Sequence, residues 1–180
     1  MQRQVAKPAP QPVPGPLPSL AAEAPIVPGS VEKAQNMDWL GQVTATEIPV
    51  VSITDLGIVR DVNWVDEVLE VKVTPTYSGC PATRVIEVMI VDALKARGVA
   101  SVQVTPQISP AWTTDWITQD AKAALEKYGI APPRAAGGPN SCPHCGSGNV
   151  EMVSNFGSTP CKAQWRCRSC LEPFDYFKCI

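Results

Sequence analysis

The sequence predicts an α+β protein, in which a small α-β-β-α-β-α domain with a three-stranded mixed sheet is followed by a cysteine-rich ribbon. Helical and strand periodicities alternate along residues 34–130, which is typical of helices packed against one small sheet. The last forty residues differ in composition, because they hold six of the seven cysteines, all three phenylalanines and the single histidine. A chain of 180 residues has room for one ordinary domain and one small one.

The composition excludes several classes of function. The net charge is −2 and only 18% of the residues are charged, so no overall positive field attracts nucleic acid or anionic membranes. One histidine rules out Ser-His-Asp relays and histidine-rich metal centres unless His144 itself takes part. The N-terminus has no apolar signal segment, no apolar run approaches ~18 residues, and the cysteine count is odd. We therefore expect a cytoplasmic protein with reduced thiols and without a membrane segment.

Residues 1–33 form a proline-rich segment, with eight prolines among the first 28 residues. The segment has no apolar periodicity and cannot bury enough surface to offset the entropy of ordering it. We expect a disordered tail, which is either simply solvated or used as a docking ligand.

The first half of the main domain predicts a helix and a hairpin. Asn36 is a suitable N-cap for a helix in which apolar residues such as Trp39 and Leu40 recur at helical spacing. Residues 57–65 and 67–76 are predicted to form two paired strands, because apolar and polar residues alternate in the second of them.

The second half predicts a helix, a strand and another helix. Residues 81–97 carry apolar side chains at i, i+3 and i+4, and Gly98 follows where a helix C-cap belongs. Residues 101–107 alternate as a third strand. Residues 113–129 are typical of an amphipathic helix that has Thr114 as its N-cap.

Residues 131–140 are a linker rich in proline and glycine, and residues 141–180 form the predicted ribbon. Two CxxC pairs separated by 21 residues each direct two thiolates toward one point, and together they complete a tetrahedral four-sulfur site. The predicted ligands are Cys142, Cys145, Cys167 and Cys170. We expect one structural zinc ion, while iron in a rubredoxin-like site would use the same ligands. A closed four-thiolate site leaves no position open for catalysis, so the ribbon is expected to be a structural and presenting module.

Three further side chains of the ribbon are not assigned by this spacing. His144 lies inside the first CxxC pair and is either a replacement ligand or a bystander. Cys161 is either an additional thiol near the metal or a buried apolar residue. Cys179 is next to the last residue and has no predicted role.

Cys80 is the most informative thiol outside the ribbon. It lies between a strand and a helix, and because proline favours the first helical position, Pro81 places Cys80 at the helix N-cap. The helix dipole and free N–H groups there favour the thiolate form of a cysteine, and Gly79 allows a ligand to approach closely. The alternative is a small buried cysteine in a tight turn.

A second polar group, formed by Thr113, Thr114 and Asp115, opens the last predicted helix. If this helix and the helix after Cys80 begin at the same sheet edge, the two starts form one polar patch. The tryptophans beside it, Trp112 and Trp116, are expected to pack in the core.

Three segments of the main domain resemble the small α+β domain of iron–sulfur cluster assembly accessory proteins: VSITDLGIVRDV (51–62), VTPTYSGCPAT (73–83) and SPAWTTDWI (109–117). The ribbon adds CPHCGS, SNFGSTPCKAQWRC and CLEPFDYFK. Taken together, residues 37–180 resemble the family of D subunits of bacterial phenylacetyl-CoA epoxidases.

The resemblance implies a non-catalytic accessory subunit in aerobic phenylacetate catabolism, which helps to mature the iron or iron–sulfur centres of the complex. Its partners would be the di-iron oxygenase or the reductase subunit, and neither nucleic acid nor a membrane is expected. Cys80 would be a transient ligand of iron or of an iron–sulfur cluster. The supporting motif would comprise Asp55, Thr113, Thr114 and Asp115.

Two other functions remain open from the residues alone. The ribbon could bind nucleic acid or act as a general adaptor, although its four basic and three acidic side chains give it little net charge. A thiol enzyme that acts on a CoA thioester would need a general base beside Cys80, and no histidine is near it in the sequence.

Overall fold

The computed structural model describes residues 26, 32–77, 79–134 and 137–179. The predicted disordered tail therefore lies outside the described residues, apart from Ile26, Glu32 and Lys33. Ile26 differs from that expectation, because its backbone N–H donates to the carbonyl of Gly98 at 3.0 Å and its side chain packs against the core.

Helix α1 spans Lys33–Leu40 and has Glu32, not Asn36, as its N-cap. The prediction of Asn36 as the cap is wrong, because the helix begins four residues earlier than that cap implies, at Lys33. Asn36 is fully buried within it, and its side-chain amide donates back to the carbonyl of Glu32 at 3.4 Å.

Two hairpins follow α1. The first, β1 (Thr44–Ala45) with β2 (Ile48–Ser52), is absent from the sequence prediction. The second, β3 (Val59–Val65) with β4 (Val68–Val73), confirms the predicted hairpin, and Asp66 takes a left-handed conformation in its turn with φ 53°.

Helix α2 spans Ala82–Lys95 and leads into β5 (Val102–Pro106), which pairs in parallel with β4. The sheet order β3-β4-β5 confirms the predicted three-stranded mixed sheet. The predicted cap positions are shifted, because Pro81 is the N-cap and Ala96 the C-cap of α2. Gly98 lies two residues beyond that C-cap, with a left-handed φ of 89°.

The last predicted helix of the domain is divided in two. A 3-10 turn at Thr114–Trp116, capped by Thr113, is followed by α3 at Gln119–Tyr128, capped by the side chain of Thr118. The prediction of Thr114 as the cap of one continuous helix is therefore wrong. Both Thr113 and Thr118 accept a backbone N–H, and two extended residues, Ile117 and Thr118, separate the two short helices.

The remaining strands form a second sheet of four, in the order β6-β9-β8-β7. They are β6 (Ile130–Ala131), β7 (Val150–Ser154), β8 (Lys162–Cys167) and β9 (Pro173–Phe177). Strand β6 follows α3 directly and pairs in parallel with β9. The end of the main domain thus becomes an edge strand of the ribbon sheet.

The two parts of the chain also share a hydrophobic core. The inward faces of the mixed sheet, α2 and α3 meet in one cluster, and this cluster includes Phe177 from β9, which is 1% exposed. A smaller cluster around Ala163, Phe174 and Tyr176 lies within the ribbon. Over the residues that the structure describes, no helix has the length and apolarity needed to cross a bilayer.

Candidate metal centre and thiol-lined cavity

The structure brings the four predicted ribbon thiols together. The sulfurs of Cys142, Cys145, Cys167 and Cys170 all lie within 4.8 Å of one another. Sγ of Cys142 is 3.7 Å from Sγ of Cys170, and Sγ of Cys145 is 3.6 Å from Sγ of Cys167. Four thiolates around zinc at ~2.3 Å would have sulfurs about 3.8 Å apart, so the arrangement fits a tetrahedral metal site.

The two CxxC turns have matching backbone conformations. The residue after each second cysteine is left-handed, with φ 75° at Gly146 and φ 68° at Leu171. In each turn a backbone N–H donates to the sulfur of the first cysteine. The N–H of His144 donates to Cys142 Sγ at 3.4 Å, and the N–H of Cys170 donates to Cys167 Sγ at 3.5 Å. These donors favour the thiolate, and the N–H of Cys170 is the leading cause that lowers the pKa of Cys167 to about 6. The ribbon therefore holds a site for a structural metal ion.

Three of the four basic side chains of the ribbon are paired with carboxylates. Arg166 and Arg168 each place two nitrogens on Glu151, at 2.5 to 3.1 Å, and Arg168 is the leading cause that lowers the pKa of Glu151. Lys162 is 5% exposed and lies 2.9 Å from the carboxylate of Asp175. These pairs reduce the positive charge that the ribbon presents to solvent.

His144 and Cys179 lie outside the four-sulfur group. The imidazole of His144 is exposed and faces Gly129, where an added Cβ would lie 3.1 Å from the ring. Cys179 is exposed, and its sulfur lies 3.3 Å from the hydroxyl oxygen of Thr114. The C-terminal end of the ribbon therefore reaches the 3-10 turn of the main domain.

Cys80 lines an apolar cavity of about 400 Å³. It lies one residue before the α2 cap Pro81, so the prediction of Cys80 as the N-cap is displaced by one position. Its backbone nevertheless joins the turn, because its carbonyl accepts the N–H of Thr83 at 3.2 Å. Neighbouring walls of the cavity come from Ile48, Leu56, Ile58, Tyr77, Val85 and Ile86.

The ribbon closes the other side of this cavity. Its contribution comes from the loop before β8, with Thr159 and Cys161, and from Phe177 in β9. Cys161 is half-buried, and Thr159 Oγ1 lies 3.1 Å from its sulfur. Burial is the main cause that raises the pKa of Cys161, and Cys80 raises it further. Cys161 is thus placed with Cys80 and not with the four sulfurs of the metal site.

The other predicted site residues lie beside the cavity and not in its lining. Asp55 accepts a hydrogen bond from Ser52 Oγ at 2.7 Å, and its backbone carbonyl accepts the N–H of Thr118 at 3.0 Å. Thr114 is buried, whereas Asp115 is exposed. The structure therefore joins the loop of Asp55 to the segment of Thr113–Asp115, but it does not place these polar side chains around Cys80.

Three contacts explain why these segments lie against each other. The indole N–H of Trp112 donates to the carbonyl of Leu56 at 2.9 Å. Gly57, at φ 69°, lies so close to Trp116 that a Cβ there would be 2.6 Å from the Cβ of the tryptophan. The guanidinium of Arg60 stacks on the ring of that tryptophan, 3.5 Å from its centre. Sequence reasoning missed the stacking of Arg60, since nothing in the local pattern marks it.

Comparison with known proteins matches each part of the chain separately. Residues 33–105 match a family model described as iron–sulfur cluster assembly protein, and residues 133–178 match one described as the PaaD zinc beta ribbon domain. An Escherichia coli K12 protein is 51% identical over 147 residues, which cover 78% of this chain and 89% of the relative. Its name gives it, provisionally, as the D subunit of 1,2-phenylacetyl-CoA epoxidase. The chain belongs to this family of epoxidase D subunits.

Two solved structures resemble about half of the chain. A DUF59 domain of unknown function from Bacillus anthracis is 26% identical and covers 52% of this chain and 90% of its own, with a TM-score of 0.48. A conserved hypothetical protein from Thermotoga maritima is also 26% identical and covers 53% of this chain and 94% of its own, with a TM-score of 0.45.

Proposed function

We propose that this member of the family is a non-catalytic accessory subunit of a phenylacetyl-CoA epoxidase system. In this role it helps to load the iron or iron–sulfur centres of the complex, and Cys80 is a transient ligand of the iron that is delivered. The client is the di-iron oxygenase or the reductase subunit of the same system. The chain acts in the cytoplasm, where thiols stay reduced.

The observation that carries this proposal is the position of Cys80 at the wall of an apolar cavity, in the part of the chain that matches an iron–sulfur assembly family. A thiol in such a place can hold a thiophilic metal ion without a full set of protein ligands. Incomplete coordination suits delivery, because the client must be able to displace the carrier.

The surroundings of Cys80 support a carrier better than a thiol enzyme. Nucleophilic catalysis by a cysteine needs a base within hydrogen-bond reach. The chain's single histidine, His144, lies in the ribbon, faces Gly129 and does not line the cavity. Tyr77, which does line it, has a pKa raised to about 12 by burial and then by Cys80, so it stays protonated and cannot serve as the base near neutral pH.

The four-cysteine site supplies structure in this proposal. Zinc bound there would cross-link the two CxxC turns and hold β8 and β9 in place, with no coordination position left for chemistry. Because Phe177 of β9 lies in the shared core, the same metal would fix the wall that the ribbon contributes to the cavity.

Co-expression with the other epoxidase subunits tests the proposal. The chain is replaced by its Cys80→Ser variant, and both the iron content of the purified complex and the epoxidase activity are measured. We expect iron content and activity to fall together, because a hydroxyl does not hold iron as a thiolate does. The substitution should change the free energy of unfolding by less than ~1 kcal/mol, since serine is nearly isosteric at this half-buried position.

Cys179→Ser is the matched control, because it removes an exposed thiol elsewhere in the chain and leaves Cys80 intact. Its complex should contain normal iron and have normal activity. If Cys80→Ser leaves iron loading normal and lowers only turnover, the chain takes part in catalysis and the proposal is wrong. Normal loading with normal turnover would also refute a role for Cys80.

A further inference from the structure

The cavity that contains Cys80 is built by both parts of the chain. Cys80 comes from the connection between β4 and α2, and Cys161 comes from the ribbon loop that leads into β8. Both line the same space of about 400 Å³, which is otherwise mostly apolar. Neither cysteine belongs to the four-sulfur site, so each is free to bind something else.

Both thiols also raise the pKa of the same neighbouring side chain, Tyr77. Tyr77 has its pKa raised first by burial, then by Cys80, and further by Cys161. Cys80 likewise raises the pKa of Cys161, after burial. Tyr77, Cys80 and Cys161 all line the cavity, so the three groups share one local environment.

We propose that Cys80 and Cys161 together bind a thiophilic divalent metal ion in this cavity, and that the ribbon therefore completes the carrier site. The inference rests on the proposed role of Cys80 and adds the second ligand. In that setting the ion is Fe²⁺, for which sulfur ligands are suitable. On binding, each thiol releases its proton to solvent, so two thiolates face the dipositive ion.

Two protein ligands make this site chemically different from the four-cysteine site. A tetrahedral ion held by two thiolates has two open positions, which ligands of a client protein can occupy during transfer. Tyr77, which lines the cavity with Cys80, keeps its proton near neutral pH because its pKa is raised to about 12. The apolar walls, including Phe177, limit the access of water to the ion.

An anaerobic titration with Co²⁺ tests the proposal on the full chain with its ribbon metal in place. Thiolate-to-cobalt absorption reports each sulfur bound to the ion. We expect the wild type to bind one additional Co²⁺ with such absorption, and both Cys80→Ser and Cys161→Ser to weaken binding at least ~10-fold. Cys179→Ser, which alters an exposed thiol outside the cavity, should bind as the wild type does.

Metal content of the ribbon and a thermal melt establish that each variant is folded. A second measurement needs no variant: Co²⁺ should slow the alkylation of both Cys80 and Cys161 in the wild type, as read by mass spectrometry, and leave Cys179 unaffected. If Cys161→Ser binds Co²⁺ normally while Cys80→Ser does not, or if only Cys80 is protected, this inference is wrong and the carrier role of Cys80 stands. If no additional Co²⁺ binds at all, the inference fails, and the iron content of the co-expressed complex decides the proposed function separately.

Discussion

The aromatic rings of Trp112 and Phe177 lie 6.2 Å apart with an angle of 48° between their planes. Trp112 belongs to the main domain and Phe177 to the last strand of the ribbon, and they are 4% and 1% exposed. Tilted aromatic pairs at this distance stabilise a core beyond the area they bury. The ribbon therefore contributes to the hydrophobic core of the domain that precedes it.

Replacing Phe177 by alanine should destabilise the whole chain. A buried Phe→Ala change typically costs about 3–5 kcal/mol, because it removes apolar contacts and leaves a cavity. We expect the melting temperature of the main domain to fall, as measured by calorimetry. Phe156→Ala is the matched control, since Phe156 is 68% exposed and should change stability by no more than ~0.5 kcal/mol. Equal effects of the two variants would contradict the shared core.

Cys142→Ser should remove the structural metal and unfold the ribbon. Such small sites contribute ~10 kcal/mol or more to folding, and three thiols no longer close the tetrahedron. We expect residues 34–130 to keep a cooperative transition at a lower temperature, because Phe177 leaves the shared core. Metal analysis together with thermal melts tests this, with Cys179→Ser as the control that keeps its metal. Loss of every cooperative transition would show that the main domain does not fold without the ribbon.

The elements that the sequence predicts correctly are those long enough for the spacing of buried side chains to repeat several times. Leu69 and Val71 alternate with polar residues along β4, and Ile86, Ile90 and Leu94 line the buried face of α2. The two-residue strands β1 and β6 are too short to show a period. The break before α3 is obscured because Thr113 and Thr118 are both good caps, so the local pattern does not choose between them.

The two candidate sites also differ in how far the local sequence predicts them. The four ribbon thiols follow from local spacing, since each CxxC turn sets the direction of its own pair. The position of Cys161 beside Cys80 depends on how the ribbon packs on the main domain, and no local pattern records that.

Gly57→Ala should be much more destabilising than Gly79→Ala. Both glycines are left-handed, at φ 69° and φ 80°, so alanine is strained by ~1–2 kcal/mol at either position. At Gly57 the new Cβ would also lie 2.6 Å from the Cβ of Trp116, whereas at Gly79 nothing lies within 4 Å. We expect an additional cost of about 1–3 kcal/mol at Gly57, measured by denaturant unfolding. Similar costs at both positions would contradict the close packing of Gly57 on Trp116.

Tyr77 should ionise with a midpoint near pH 12 in the folded chain, because burial and the neighbouring Cys80 disfavour its anion. The chain has three tyrosines, so the titration of Tyr77 is obtained as the difference in tyrosinate absorbance between the wild type and Tyr77→Phe. The folded pKa lies above the unfolded value of about 10, so the stability linked to this proton is present in full below pH ~10 and is lost as the pH rises toward 12. In denaturant the midpoint should return to about 10. Cys80→Ser should lower the folded midpoint only in part, since burial is the larger cause. A folded midpoint near 10 would mean that the phenol is solvated and that neither burial nor Cys80 disfavours its anion.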